Sequence, residues 1–314
     1  MRADLDVTAD LARGLLAEQH PDLADLPLRV VANGWDNVMV RAGDDLALRL
    51  PRREAAAHLV AHEQVALPRL APVLAAAVPD VAVPVPVRTG MPSAALGYPW
   101  RWHATRWIEG VAAHRTPVPA RTAWARTLGA FLVALHQPAP PDAPVNPVRG
   151  IPVAGRAEAR DPDRLADRLE RTPPRLRDAA LALWADALAS PVHDGPPVWV
   201  HGDPHPANLV VGVGAGPGGA DRLSAVVDFG DVTSGDPASD LGALWLIFDA
   251  DGLARCREVV ERHANGGRGW GQAAWTRARA WAWAYALNMT AHPDEHPELV
   301  PIGEHGLASL FTDP

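Results

Sequence analysis

Three side chains within residues 198–241 have the types and the spacing of a site for phosphoryl transfer: Asp203, Asn208 and Asp228. Moving a phosphoryl group requires a divalent cation to neutralise charge and a group to orient the acceptor hydroxyl, and leaves little covalent work for the protein. Hard cations take oxygen ligands, so Asp and Asn suit the task and Cys does not. His201-Gly202-Asp203, with Asn208 five residues after the Asp, reproduces the spacing H-x-D-x-x-x-x-N. Asn208 opens an apolar run, Leu209-Val210-Val211, that reads as a strand. A glycine-rich turn, Gly212 to Gly219, follows, and the second run, Ala225-Val226-Val227, enters Asp228-Phe229-Gly230. Such a hairpin returns Asp228 beside Asn208 as one shared metal site. It leaves Asp203 on the preceding loop, placed to take a proton from an incoming hydroxyl.

Taken in order, the runs HGDPHPAN, DFGD and GDPASDL resemble the aminoglycoside phosphotransferase family, small-molecule kinases with a protein-kinase-like fold. The resemblance implies that Asp203 is the catalytic base and that Asn208 and Asp228 hold Mg2+. It implies ATP or GTP as the donor, and His201, Asp236 and Asp240 as supports of the loop. The plainer reading makes these turn and cap residues: Asp203 before Pro204, Asp228 at a strand end, Asp236 before Pro237 and Asp240 capping a helix.

The elements that must position this segment begin upstream. Thr8 to Gln19 has helical spacing, and Leu28–Ala32, Asn37–Arg41 and Leu46–Leu50 read as strands. The turn Asn33-Gly34-Trp35-Asp36-Asn37 sets Gly34 and Asn37 where backbone amides can cover phosphates, although Asn-Gly is equally ordinary hairpin chemistry. Alternation in Leu46-Ala47-Leu48-Arg49-Leu50 puts Arg49 opposite the three leucines. In the kinase pattern V-A-I-K that slot holds a phosphate-binding lysine. This chain contains no lysine, so all 29 of its basic residues are arginines, and a Walker-type phosphate loop is excluded. A guanidinium is a planar fork where an ammonium is a point charge, so the geometry at Arg49 must differ. A helix predicted over Glu54 to Leu67 offers Glu63 on its inward face as the partner of Arg49.

Pro79 to Pro86 alternates Val and Pro and reads as edge strand or extended linker. Tyr98 to Trp107 reads as a strand. By resemblance its exit is a hinge, where backbone groups of Arg106, Trp107 and Ile108 would bind the nucleotide base. Beyond it the chain is predicted mostly helical: Arg121–His136, Asp163–Arg171, Pro174–Ser190, Leu241–Phe248, Gly252–Ala264, Gln272–Met289 and Ile302–Phe311. His136 reads as a helix C-terminal residue, and Pro138–Pro152, with six prolines, as a stiff surface connection. His205 reads as structuring the catalytic loop. Trp275, Trp281, Trp283 and Tyr285 form a stripe that is core or, in part, lines an acceptor pocket. Asp249, Asp251, Asp294, Glu295 and Glu298 are candidate amine contacts.

The expected fold is α+β and bilobal, with a sheet-bearing N-lobe over 1–107 and a helical C-lobe over 108–314. A formal charge of -8 disfavours nucleic acid and leaves room for a cationic ligand. The single cysteine, Cys256, suits a reducing compartment. The sequence shows no charged leader followed by an apolar run and no apolar stretch of about 18 residues, so a soluble cytoplasmic protein without a membrane partner is expected, as monomer or homodimer. There is no A-P-E segment after Gly230, so a small hydroxylated acceptor is expected, an antibiotic before a metabolic sugar or amino alcohol. The Asn33–Asn37 turn and the Tyr98–Gly110 run look nearer the macrolide-phosphorylating branch. A nucleotide-binding pseudokinase is the reading that the missing lysine motivates.

Overall fold

Alternating leucines need a core on one side only, and the computed structural model, which describes residues 3–212 and 221–312, supplies it. Strands β1 (Leu28–Asn33), β2 (Asn37–Ala42), β3 (Leu46–Pro51), β4 (Pro86–Gly90) and β5 (Trp102–Arg106) form an antiparallel sheet in the order β1-β2-β3-β5-β4. Helix α1 (Ala9–Gln19) begins at Thr8, whose hydroxyl accepts the Leu11 N–H at 3.2 Å. Its Leu15 and Leu16 share a core with Val38, Val40, Leu48, Leu50 and Trp102. Arg49 takes the other face of β3 and meets helix α2 (Glu54–Ala77).

This sheet belongs to the first of two compact units, which comprises Met1–Pro72, Ala82–Glu109 and Asp228–Gly230. The second comprises Val73–Val81, Gly110–Val227 and Asp231–Pro314. An antiparallel-sheet lobe and a helical lobe are the α+β architecture expected.

Two local expectations in this region are corrected, and one, left open between edge strand and linker, is resolved. Helix α2 does not stop at Leu67 but runs through Pro68 and Pro72 to Ala77. A proline inside a helix removes one backbone hydrogen bond and costs about 3 kcal/mol. Here the fully or nearly fully buried Ala66, Leu67, Leu70 and Leu74 offset it by packing the inner face. The Val/Pro run makes no strand before Pro86, and the strand that starts there is an edge, where a missing N–H is tolerated. Tyr98 is not yet in β5: it closes a turn by exchanging two backbone hydrogen bonds with Ser93, at 2.8 and 2.9 Å.

In the second unit β6 (Val111–Ala112), β8 (Leu209–Gly212) and β9 (Arg222–Val226) pair in the order β6-β8-β9, while β7 (Val198–Val200) pairs with β10 (Thr233–Gly235). The hairpin expected after Asn208 is therefore formed, although residues 213–220 of its glycine-rich turn lie outside the described residues. The helix expected over Arg121–His136 is divided into Val118–Arg121, a 3-10 turn at Thr122–Trp124, and Ala125–Leu135. Arg121 is the reason: its buried guanidinium donates to the carbonyls of Thr116 and Ile247 instead of facing solvent, which fixes the turn there. Leu241–Phe248 likewise becomes two short helices, Ala238–Gly242 and Leu244–Ile247. The unit also contains helices at Ala157–Arg160, Pro162–Arg171, Arg177–Ala189, Ala250–Gly267, Gly271–Met289 and Val300–Thr312, the fourth of them interrupted by non-helical backbone at Ala264, Asn265 and Gly266. Trp275, Trp281, Trp283 and Tyr285 are all buried, so the aromatic stripe is core. Among the described residues no helix is long and apolar enough to cross a membrane.

Candidate active site

In the first unit the sheet register sets a charged cluster under α2. Arg49 on β3 lies opposite Met39 on one side and His103 on the other. Its Nε stands 2.9 Å from Glu63 Oε2 and its Nη2 donates to Asp228 Oδ1 at 2.5 Å. Glu63 is 1% exposed, so its charge is compensated almost wholly by protein. Burial alone would lower the Arg49 guanidinium, but Asp228 and then Glu63 outweigh it and hold the group above its ordinary value. Asp228 has a positive φ of 63°, a left-handed conformation costly for a residue with a side chain. His103, whose Nε2 is 3.5 Å from Glu63 Oε2, is pushed down to about 3 by burial and by the charge of Arg49.

The turn before β2 closes on itself: Gly34 N–H donates to Asn37 O at 3.0 Å. Arg52 donates to Asn33 Oδ1 and, at 3.2 Å, to Gly34 O, while Arg53 pairs with Asp36 at 2.8 Å. Asn37 is buried at the start of β2. At the exit of β5, Arg106 is exposed, the Trp107 N–H donates to Asp45 O at 2.7 Å, and Ile108 is half-buried. Arg41 lies 4.5 Å from the centre of the Trp107 ring, a cation-π contact.

In the second unit β7 runs straight into His201-Gly202-Asp203, and Asp240 anchors that loop from beneath. Its Oδ2 accepts the His201 N–H at 2.7 Å and its Oδ1 the Gly202 N–H at 2.8 Å. His136 Nε2 also meets Oδ2, at 3.1 Å. His136 is thus more than a helix end: it caps Ala125–Leu135 and also meets the anchor. Gly202 has φ 89°, and a Cβ there would lie 2.5 Å from Asp231 O, so this position requires glycine twice over. His201 accepts the Asp203 N–H through Nδ1 at 3.2 Å and donates through Nε2 to Val227 O at 3.0 Å, which fixes its tautomer. Asn208 Nδ2 donates to Asp203 O at 3.0 Å, leaving the amide oxygen as its donor atom for a hard cation. His205 structures the loop as expected, accepting the Ala207 N–H at 3.2 Å. Its Nε2 stands 3.5 Å from Asp203 Oδ2.

Asp236 lies deeper. It accepts a bidentate pair from Arg277, Nε at 2.7 Å and Nη2 at 3.1 Å, and caps Ala238 at 3.0 Å. Of the acidic candidates for amine contacts, Asp249 is committed to capping Gly252 at 2.9 Å and to Thr122 at 3.2 Å. Asp251 pairs with Arg255 at 3.0 Å along its helix.

The sequence matches the phosphotransferase enzyme family over residues 27–281, most of the chain. The chain belongs to that family. Its fold is that of solved antibiotic phosphotransferases. The GDP complex of aminoglycoside 2'-phosphotransferase-IIIa is 19% identical, with a TM-score of 0.65 over 97% of this chain and 100% of the other. Macrolide 2'-phosphotransferase MphH from Brachybacterium faecium, as apoenzyme, is 25% identical, with a TM-score of 0.58 over 98% of each chain. Macrolide 2'-phosphotransferase type I is 23% identical, with a TM-score of 0.56 over 98% of this chain and 99% of the other. No curated relative matches the chain by sequence.

Four polar residues of this phosphotransferase join the site without having been singled out from the sequence. Asp231, the fourth residue of DFGD, accepts Asn146 Nδ2 at 2.7 Å and Arg149 Nε at 3.4 Å. Arg149 Nη2 also lies 3.8 Å from Asp203 Oδ1. Tyr285, noted only as aromatic surface, donates its hydroxyl to Gly202 O at 2.9 Å. A signal existed for Asp231, which stands next to Asp-Phe-Gly. None existed for Asn146 or Arg149, which sit in the proline-rich connection.

Proposed function

We propose that this phosphotransferase is a Mg-dependent small-molecule kinase that moves the γ-phosphoryl group of ATP or GTP to a hydroxyl of an antibiotic, an aminoglycoside or a macrolide. The observation that carries the reading is the anchored loop. Asp240 holds the two peptide N–H groups that flank His201, so Asp203 projects from a rigid base, with a side chain about one-fifth exposed. As general base, Asp203 accepts the acceptor's hydroxyl proton as the oxygen attacks the γ-phosphorus and the bond to the β-phosphate oxygen breaks, releasing ADP or GDP. His205 Nε2 and Arg149 Nη2 stand 3.5 and 3.8 Å from its two carboxylate oxygens.

Asn208 Oδ1 and Asp228 are the oxygen donors we assign to magnesium, a donor set that suits a hard ion. Magnesium, when bound, neutralises the charge on the phosphates. We assign alignment of the phosphates to Arg49 and Glu63, and contacts to the nucleotide to Gly34, Asn37 and the backbone at Arg106, Trp107 and Ile108. His201, Asp236 and Asp240 hold the catalytic segment in shape.

Purified protein incubated with Mg2+, ATP or GTP, and a panel of aminoglycosides, macrolides, sugars and amino alcohols tests the reading by mass spectrometry. Gain of one phosphoryl group on an antibiotic is the expected result; transfer only to a metabolite would move the assignment to a metabolic kinase. Asp203→Ala should fold as wild type and lose about 10²- to 10⁴-fold in kcat, the usual worth of a positioned base. A variant keeping most of its activity would remove Asp203 from the mechanism.

A further inference from the structure

The cluster of Asn146, Arg149, Asp231 and Tyr285 has a use that its packing alone does not explain. We propose that Arg149 is a positioning residue for the Asp203 carboxylate, with Asp231 as its anchor; the inference rests on the reading of Asp203 as the base.

The backbone at this point is fixed. Gly150 has φ 63°, and a Cβ there would lie 3.1 Å from both Val200 Cγ2 and Thr233 Cγ2, side chains of the paired β7 and β10. Its carbonyl accepts the Asp236 N–H at 2.8 Å. The residue before it therefore emerges from a pinned position, although the surrounding segment is irregular.

The side chain is fixed too. Arg149 Nε donates to Asp231 Oδ2 at 3.4 Å, and Asn146 Nδ2 holds the other oxygen of the same carboxylate at 2.7 Å. The guanidinium carbon lies 5.3 Å from the centre of the Tyr285 ring. The hydroxyl of that ring bonds to Gly202 O, so one aromatic residue touches both the arginine and the catalytic loop. Burial alone would lower the guanidinium, but Asp203 and then Asp231 outweigh it and keep Arg149 charged.

The remaining distance is the informative one. Arg149 Nη2 stands 3.8 Å from Asp203 Oδ1, inside the range of strong Coulomb attraction and beyond a hydrogen bond. A base tied by a short hydrogen bond would have a lone pair occupied at the moment it is needed. At this separation the positive charge orients the carboxylate and leaves Oδ1 open to an incoming hydroxyl. On the other side, His205 Nε2 faces Oδ2 at 3.5 Å, so the carboxylate is braced by two groups and bonded tightly by neither.

The test compares Arg149→Ala, Arg149→Lys and Asp231→Asn with Asp203→Asn as control. Phosphoryl transfer is followed both to the acceptor found in the screen and to water. Misplacing a reacting group costs about 10²-fold, so Arg149→Ala should lose that factor in kcat while KM for the Mg-nucleotide changes by less than about threefold. Arg149→Lys should keep more activity than Arg149→Ala, and millimolar guanidinium should restore about tenfold to the alanine variant, since it returns the missing cation. Asp231→Asn keeps the shape of the anchor and should lose about tenfold, which guards against an alanine variant that does not fold. If Asp203→Asn is inactive while Arg149→Ala stays within about threefold of wild type in kcat, Arg149 is dispensable and the inference falls alone. If Asp203→Asn is itself active, the base assignment falls and takes this inference with it. Loss in Arg149→Ala that guanidinium does not restore, accompanied by a lowered Tm, would make Arg149 a structural residue and overturn the proposal.

Discussion

Each unit of the molecule places one arginine between two carboxylates, and the two arrangements differ in kind. Arg49 makes close contacts, at 2.9 Å to Glu63 and 2.5 Å to Asp228, and Glu63 is almost completely removed from solvent. Arg149 makes longer ones, at 3.4 Å to Asp231 and 3.8 Å to Asp203, and both of those carboxylate side chains keep about a fifth of their exposure. A short, buried pair contributes to folding because either partner left alone is an uncompensated charge. A longer pair with about a fifth of its exposure left contributes less to folding than the Arg49–Glu63 pair and can still orient a group. On the roles proposed for the two arginines, the stability cost should be concentrated at the Arg49–Glu63 pair and the cost in turnover without unfolding at Arg149.

The strongest way to break this comparison is Arg49→Ala. It removes the arginine partner of buried Glu63, and loss of one partner of a buried pair costs about 3–5 kcal/mol. Denaturant unfolding should show that loss, and Arg49→Ala combined with Glu63→Gln should recover part of it by removing the negative charge that Arg49 balanced. Arg149→Ala should lower stability by no more than about 1 kcal/mol, as for other partly exposed pairs. Equal losses at the two arginines would erase the distinction.

A second test uses pH, and it again concerns the first unit. His103 is neutral in the folded state down to about pH 3, whereas in the unfolded chain it takes a proton near 6.5. Below 6.5 the unfolded state thus binds the extra proton, and stability falls as pH falls. The slope approaches 1.4 kcal/mol per pH unit, or about 2 kcal/mol between pH 6.5 and 5. Glu63 lies 3.5 Å from it and Arg49 across the strand pair. His103→Gln removes the proton site and should flatten this limb of the stability profile. An unchanged profile would mean that other groups govern it.

Arg49 was legible in the sequence because a strand repeats every two residues: its face follows from counting leucines, and its partner from counting helical turns to Glu63. Asp203, Asn208 and Asp228 stood out by spacing within one short segment. Arg149 and Asn146 had no such coordinate. They lie among six prolines in an irregular stretch, and only tertiary contacts at Gly150, with Val200, Thr233 and Asp236, determine where that stretch points. The continuation of α2 through Pro68 and Pro72 was illegible for a related reason, since local propensity opposes a helix there and buried side chains decide for it. Tyr285 was visible as one more aromatic in a buried stripe; that its hydroxyl bonds to Gly202 O depends on which turn of the helix meets that loop.

That hydroxyl allows the smallest and sharpest test. Tyr285→Phe keeps the ring under Arg149 and deletes only the hydrogen bond to Gly202 O. A buried neutral hydrogen bond contributes about 1 kcal/mol, so the cost in stability should be near that value. Gly202 remains held by its N–H on Asp240 and by its close approach to Asp231, so the loop should keep its shape and kcat should fall by less than about tenfold. If the ring is what matters to Arg149, then Tyr285→Leu, which removes ring and hydroxyl together, should fall well below Tyr285→Phe in kcat and approach Arg149→Ala. Equal turnover in the phenylalanine and leucine variants would separate Tyr285 from the alignment of Asp203 and leave it as core packing alone.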